Sequence, residues 1–208
     1  FGAPGDDLVP LGEEMLVRSP ELAKRAQLIF PAAPLAPPEL GGYGRAWWPL
    51  DVMKLQQSIV NGEFRDLRKD NPDGLTESRR LLTALVNEVR ERTGLPMSKI
   101  VLGGFSQGAM LATDVALNLE EAPGGLIVWS GTLLCEDQWR ELAGRRGQLR
   151  VMQSHGRQDP ILPFEAATWL RDLFEESGFD HTFFEFNGEH AIPAEAFMRA
   201  VSLLESLL

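Results

Sequence analysis

Ile100-Val101-Leu102-Gly103-Gly104-Phe105-Ser106-Gln107-Gly108-Ala109-Met110 is the stretch from which the fold can be read. Its first half is an apolar, β-branched run that stops at glycines, the pattern of a buried parallel strand. Beyond Ser106, the residues Met110, Leu111, Val115, Ala116 and Leu119 recur at helical spacing and predict a helix over Gln107 to Leu119. Strand, G-x-S-x-G, helix is the context of a nucleophile elbow. Such a turn lifts the serine Oγ above the sheet edge and aims the next backbone N–H, that of Gln107, at the same point. On this reading the tightness of the turn excludes bulk at both Gly104 and Gly108. With 20 glycines in 208 residues the string could also arise in an ordinary turn. The test of the reading is whether the chain supplies the partners a serine needs.

A hydroxyl near neutral pH is a poor nucleophile; it needs a base, and the base needs an orienting acid. In folds with this elbow the order along the chain is Ser, then Asp or Glu, then His. Only three histidines are available. His190 lies in the turn-rich stretch Asn187-Gly188-Glu189-His190-Ala191, after a strand-like run, where open α/β sheets place their sites. His155 reads as a structural strand-end residue after Leu149 to Ser154, and His181, beside Asp180, as a solvated surface residue. For the acid, Asp159 in His155-Gly156-Arg157-Gln158-Asp159-Pro160 follows a β-type run, and Pro160 biases it away from helix. Asp-Pro is also a common turn; its position between Ser106 and His190 favours the catalytic role.

The remaining pattern alternates strands with helices. Gln27 to Phe30, Ile100 to Gly103, Leu126 to Trp129, Leu149 to Gln153 and Thr182 to Phe186 read as strands. Thr76 to Thr93, Phe164 to Glu176 and a last segment opened by Pro193 read as helices. Strands that are apolar throughout, flanked by amphipathic helices, predict a mostly parallel sheet covered on both faces.

Composition narrows the function further. A length of 208 residues predicts one domain spanning 1–208, and the Pro-rich Pro31 to Pro38 reads as an ordered loop rather than a linker. A net charge of −10 argues against nucleic acid and anionic membrane surfaces as partners. No run has the length of a membrane span. Cys135 is the only cysteine, so no internal disulfide forms and a cytoplasmic setting is expected. It lacks elbow glycines and an adjacent base, which excludes it as nucleophile. No His/Cys cluster and no phosphate-binding glycine loop is present, so neither metal nor cofactor is expected.

Taken together, Gly103-Gly104-Phe105-Ser106-Gln107-Gly108-Ala109-Met110, His155-Gly156-Arg157-Gln158-Asp159-Pro160-Ile161-Leu162-Pro163 and Gly188-Glu189-His190 resemble the phospholipase/carboxylesterase family, small α/β-hydrolases that include bacterial carboxylesterases and acyl-protein thioesterases. Phe30-Pro31-Ala32-Ala33-Pro34 and Trp47-Trp48-Pro49-Leu50-Asp51 are similar to a family segment that approaches the active site. The resemblance implies an α/β-hydrolase fold with a mostly parallel central sheet, helices on both faces and no large lid domain. It also implies Ser106 as nucleophile, Asp159 as acid and His190 as base.

One departure concerns the oxyanion hole. Family members have a His-Gly-x-Gly loop whose x residue donates its backbone N–H, and Phe1-Gly2-Ala3-Pro4-Gly5-Asp6-Asp7 looks like the second half of that loop. Phe1 then stands at the donor position beside the Gln107 N–H, and the functional protein is expected to carry a further N-terminal segment. Trp47, Trp48 and Leu162 are expected as apolar walls of the substrate pocket, with core packing as the competing reading. Without an insertion long enough for a large lid, the expected substrates are small-molecule esters of short-to-medium acyl chains. Lysophospholipids and acylated thiols are alternatives on the same site. A peptidase or dienelactone hydrolase-like enzyme and a degenerate fold used only for binding are the competing classes. A homodimer is compatible with the sequence.

Overall fold

The computed structural model describes residues 1–208. Four strands form the sheet: β1 (Val101–Phe105), β2 (Gly125–Trp129), β3 (Arg150–Gly156) and β4 (Asp180–Phe186). They lie in the order β1-β2-β3-β4 and every neighbouring pair is parallel. Val101 to Phe105 face Gly125 to Trp129, and Arg150 to Gly156 face Asp180 to Phe186, residue by residue. Parallel strands need crossovers, and helices supply them: α5 (Gln107–Asn118), α6 (Glu136–Arg146) and α7 (Phe164–Glu176), with α8 (Ala194–Glu205) following β4. Before the sheet lie α1 (Val9–Arg18), α2 (Pro20–Arg25), α3 (Val52–Asn61) and α4 (Leu75–Thr93).

The expectation of a sheet covered on both faces is met in β2, all of whose residues are buried. Successive side chains on a strand point to opposite faces, so β2 feeds two cores. Leu126 and Val128 enter the larger one with α5, Trp139 of α6 and Leu170 of α7. Ile127 and Trp129 enter the smaller one with Met15, Leu22 and the Phe197, Ala200 and Val201 face of α8. α5 runs through the interior with buried residues from Gln107 to Leu117. Its Asp114 carboxylate is fully buried and accepts bonds from Arg79 Nε (2.6 Å), Arg79 Nη2 (3.2 Å) and Trp139 Nε1 (2.9 Å), which ties α4, α5 and α6 together. No helix is long and apolar enough to cross a membrane.

Two expectations need correction. Gln27 to Phe30 belongs to no strand, because no neighbouring strand pairs with it. His181 is not a solvated surface residue: its side chain is 2% exposed, lies 3.0 Å from Gln153 Oε1 and packs 5.4 Å from the Phe174 ring. Burial there, reinforced by the charge of Arg171, pushes its pKa down to about 4. The Pro31 to Pro38 loop is closed by the paired bonds of Leu35 with Ala46, both 3.1 Å.

Candidate active site

Ser106 occupies the turn between β1 and α5 with φ 55° and ψ −119°, a conformation a non-glycine residue adopts only under constraint from its surroundings. The constraint is visible on both sides. Ser106 N donates to Trp129 O at 2.8 Å, extending the β1–β2 ladder into the turn. Its carbonyl accepts from Ala109 N (3.0 Å) and Met110 N (3.2 Å), opening α5. The first N–H groups of a helix have no partner within it, and Gln107 stands at the first helical position of α5.

The two elbow glycines differ in their reasons. A Cβ on Gly104 would lie 2.3 Å from Gly108 C and 2.4 Å from Gly108 O, whereas a Cβ on Gly108 meets nothing closer than Trp47 Nε1 at 3.8 Å. The expectation that both positions exclude bulk holds for Gly104 alone. Gly104→Ala is expected to cost several kcal/mol, as overpacking against backbone does, and to abolish activity. Gly108→Ala should leave the melting temperature within about 3 °C of the parent. Thermal denaturation of the two variants checks this contrast.

Asp159 sits on the loop between β3 and α7, His190 on the loop between β4 and α8, so both follow parallel strands at the carboxyl edge that carries Ser106. The two loops are joined: Arg157 N donates to Phe186 O and Gln158 N to Gly188 O, both at 2.9 Å. Gly156 permits the approach, since a Cβ there would fall 2.2 Å from Glu189 O. Asp159 Oδ2 accepts from His190 Nδ1 at 2.6 Å. Phe105 packs against the His190 ring, with centroids 4.6 Å apart, which seats the imidazole beside the elbow. Ser106 and His190 are thus connected through Phe105 rather than by a direct hydrogen bond. Exposure is graded across the group: the Asp159 side chain is fully buried, that of His190 is 11% exposed, and Ser106 is partly open.

Four donors surround the Asp159 carboxylate. Ile161 N and Leu162 N donate to Oδ1, both at 2.9 Å, while His190 Nδ1 and His155 Nε2 (3.2 Å) approach Oδ2. Burial alone pushes the carboxyl pKa up. The bonds from His155 and His190, the His190 charge and the Leu162 N–H outweigh it and hold Asp159 well below the usual carboxylate range. Cys135 is the opposite case: burial, then the Asp114 charge, pushes its thiol up to about 11, and Sγ lies 3.3 Å from Asp70 O. A protonated thiol so held is inert, in agreement with its exclusion as nucleophile.

The expected pocket residues separate. Trp48 is 1% exposed and belongs to the larger core. Leu162 is 4% exposed in the same core, and its backbone serves Asp159. Trp47 lines a cavity of about 270 Å³ with Pro31, Ala32, Pro34, Leu81, Leu82 and Leu85. For the N-terminal residues the structure shows pairing with Arg45, through Gly2 N to Arg45 O (2.8 Å) and Arg45 N to Ala3 O (2.9 Å). Burial lowers the pKa of the Phe1 amine, with Asp7 opposing.

Sequence reasoning missed two contributors. The Gln107 side chain accepts from Trp47 N (2.8 Å) and donates to Trp48 O (2.9 Å), pinning the tryptophan segment to the elbow. His155 lies against Asp159 rather than simply ending a strand. Its spacing of four residues before the acid was the signal available.

A strained serine turn between a parallel strand and a helix, on a sheet layered by helices on both faces, defines an α/β hydrolase of the serine type. A profile of the phospholipase/carboxylesterase family matches residues 16–208, and the chain belongs to that family. Acyl-protein thioesterase 1 of Eremothecium gossypii is 32% identical over 200 residues, spanning 94% of this chain and 80% of the fungal protein. The same enzyme of Debaryomyces hansenii is 28% identical over 202 residues, spanning 91% and 83%. Among solved structures, esterase PE8 superposes with a TM-score of 0.79 at 24% identity, covering 100% of this chain and 89% of its own. The Bacillus cereus carboxylesterase gives 0.68 at 20% identity, covering 100% and 84%. These likenesses bear on the fold, which they share.

Proposed function

We propose that the protein hydrolyses small carboxylic esters of short-to-medium acyl chains through a Ser106–His190–Asp159 triad and an acyl-enzyme. The observation that carries the reading is the Asp159–His190 bond of 2.6 Å, held by a buried carboxylate at the same sheet edge as the Ser106 elbow. Because Asp159 accepts from Nδ1, His190 keeps its hydrogen there and leaves Nε2 free to take the Ser106 proton. Ser106 Oγ then attacks the carbonyl carbon, and the electron pair moves to the oxygen. Gln107 N–H stabilises that oxyanion, with a second donor at or near Phe1. His190 returns the proton to the leaving alcohol, and water repeats the sequence to release the acid. Protein groups supply every role, without metal or cofactor. Residues 1–208 act as one catalytic domain, and the single buried thiol of Cys135 suits a cytoplasmic setting.

The cavity beside Trp47 receives the acyl chain. At about 270 Å³ it is at the small end of ligand sites, which favours short and medium chains. The Trp47 indole lies 3.8 Å from where a Gly108 side chain would begin, so the cavity wall adjoins the elbow. Trp47→Ala is expected to shift the preferred chain length of p-nitrophenyl esters towards longer acyl groups by at least about tenfold in relative kcat/KM. An unchanged chain-length profile removes Trp47 from the substrate site. Thioester hydrolysis is the second reading, favoured by the fungal relatives named acyl-protein thioesterase 1. Parallel assay of matched oxyesters and thioesters separates the two.

A further inference from the structure

His155 is the buried titratable group beside the acid for which the mechanism above has no role. Its ring has no exposure. Nε2 lies 2.7 Å from the Leu162 carbonyl oxygen and 3.2 Å from Asp159 Oδ2. Neither a carbonyl nor a carboxylate has a proton to give, so Nε2 carries the hydrogen and Nδ1 is a bare acceptor. That Nδ1 is buried without a hydrogen-bond partner. Leaving such an atom unpaired costs stability that an apolar side chain of similar volume would avoid. The presence of an imidazole is therefore explained by its Nε2–H.

We infer that His155 is a positioning residue for the hydrolytic reaction, its Nε2–H forked between Leu162 O and Asp159 Oδ2. The fork does two things. Leu162 N already donates to Asp159 Oδ1, so the bond to Leu162 O closes a ring through the acid loop and fixes the carboxylate rotamer. The branch to Oδ2 draws charge from the oxygen that holds His190. Other charged groups near the acid loop are engaged elsewhere or exposed. Arg157 pairs with Glu185 at 2.5 Å and covers the Phe164 ring at 5.4 Å, and Glu165 of α7, Glu189 and Glu195 of α8 are exposed. The inference rests on the triad reading.

Three variants and one spectrum test it. His155→Leu removes the donor; His155→Gln places an amide N–H where Nε2 stands. His155→Leu is expected to lower kcat about 10- to 100-fold with KM within about twofold, the range of one bond to a charged group. Without the second donor the carboxylate charge bears more fully on His190, and the acid limb of kcat/KM moves to higher pH. His155→Gln should restore most of kcat and return the acid limb. A folded His155→Leu with the parent kcat and acid limb, or a His155→Gln no better than the leucine variant, overturns the inference. Long-range ¹H–¹⁵N NMR of the unmodified protein decides independently of variant folding. The Nε2–H tautomer of His155 is expected, and the Nδ1–H tautomer is incompatible with the fork. Ser106→Ala serves as the control for the underlying reading: if turnover survives it, the triad fails, whereas an unchanged His155→Leu profile alongside an inactive Ser106→Ala removes only His155.

Discussion

Ser106→Ala is expected to lower kcat by about 10⁶ while leaving the fold intact. The size follows from the role: without Oγ no acyl-enzyme forms, and the remaining rate comes from oxyanion donors and binding alone. The intact fold follows from the turn. Alanine suffers the same strain as serine at φ 55°, and the backbone bonds from Ser106 N to Trp129 O and from Met110 N to Ser106 O do not involve the side chain. Active-site titration of the variant, with circular dichroism on the same sample, checks both halves. A residual rate within about a hundredfold of the parent assigns the chemistry to another group.

Asp159→Asn is the second large effect, expected to lower kcat by about 10⁴. Asparagine has the shape of aspartate but offers an oxygen on one side and an N–H₂ on the other. The site presents four donors: two backbone N–H groups at Oδ1 and two imidazole nitrogens at Oδ2. If the amide N–H₂ faces Ile161 and Leu162, donors oppose donors and the loop loses its anchor. If it faces the histidines, His190 must turn Nδ1 into an acceptor and move its hydrogen to Nε2, where it can no longer take the Ser106 proton. Either orientation also leaves buried donors unpaired, which costs about 1–3 kcal/mol of stability. Steady-state kinetics and thermal denaturation of this variant read the two effects separately. A kcat within tenfold of the parent removes Asp159 from the triad.

Much of this arrangement is legible in the sequence because its determinants are local. An apolar run ending at Gly103-Gly104 states a buried strand, and Pro163 and Gly178 bracket the α7 region. The observed β1, β2, β3 and β4 lie within a few residues of the expected runs, and α7 spans the predicted Phe164 to Glu176. What was not legible depends on partners distant in the chain. Gln27 to Phe30 has strand composition, but a strand exists only through pairing, and Ile29 and Phe30 remain 44% and 36% exposed. His181 looks solvated beside Asp180 until Phe174 of α7 closes over it. Gly108 resembles Gly104 as a letter, yet only the three-dimensional turn shows which of them faces backbone. The Gln107 side chain is hidden for the same reason, its partners Trp47 and Trp48 becoming neighbours only on folding. His155, which reads as a strand-end residue, instead has its partners within seven residues and is brought onto Asp159 by the turn of the acid loop.

A fluorophosphonate probe followed by peptide mapping reads out whether Ser106 is the nucleophile activated by the His190–Asp159 pair. A single adduct on Ser106 is expected, formed in the parent protein and greatly slowed in Asp159→Asn. An adduct on another residue, or none on folded protein that turns over esters, contradicts that assignment.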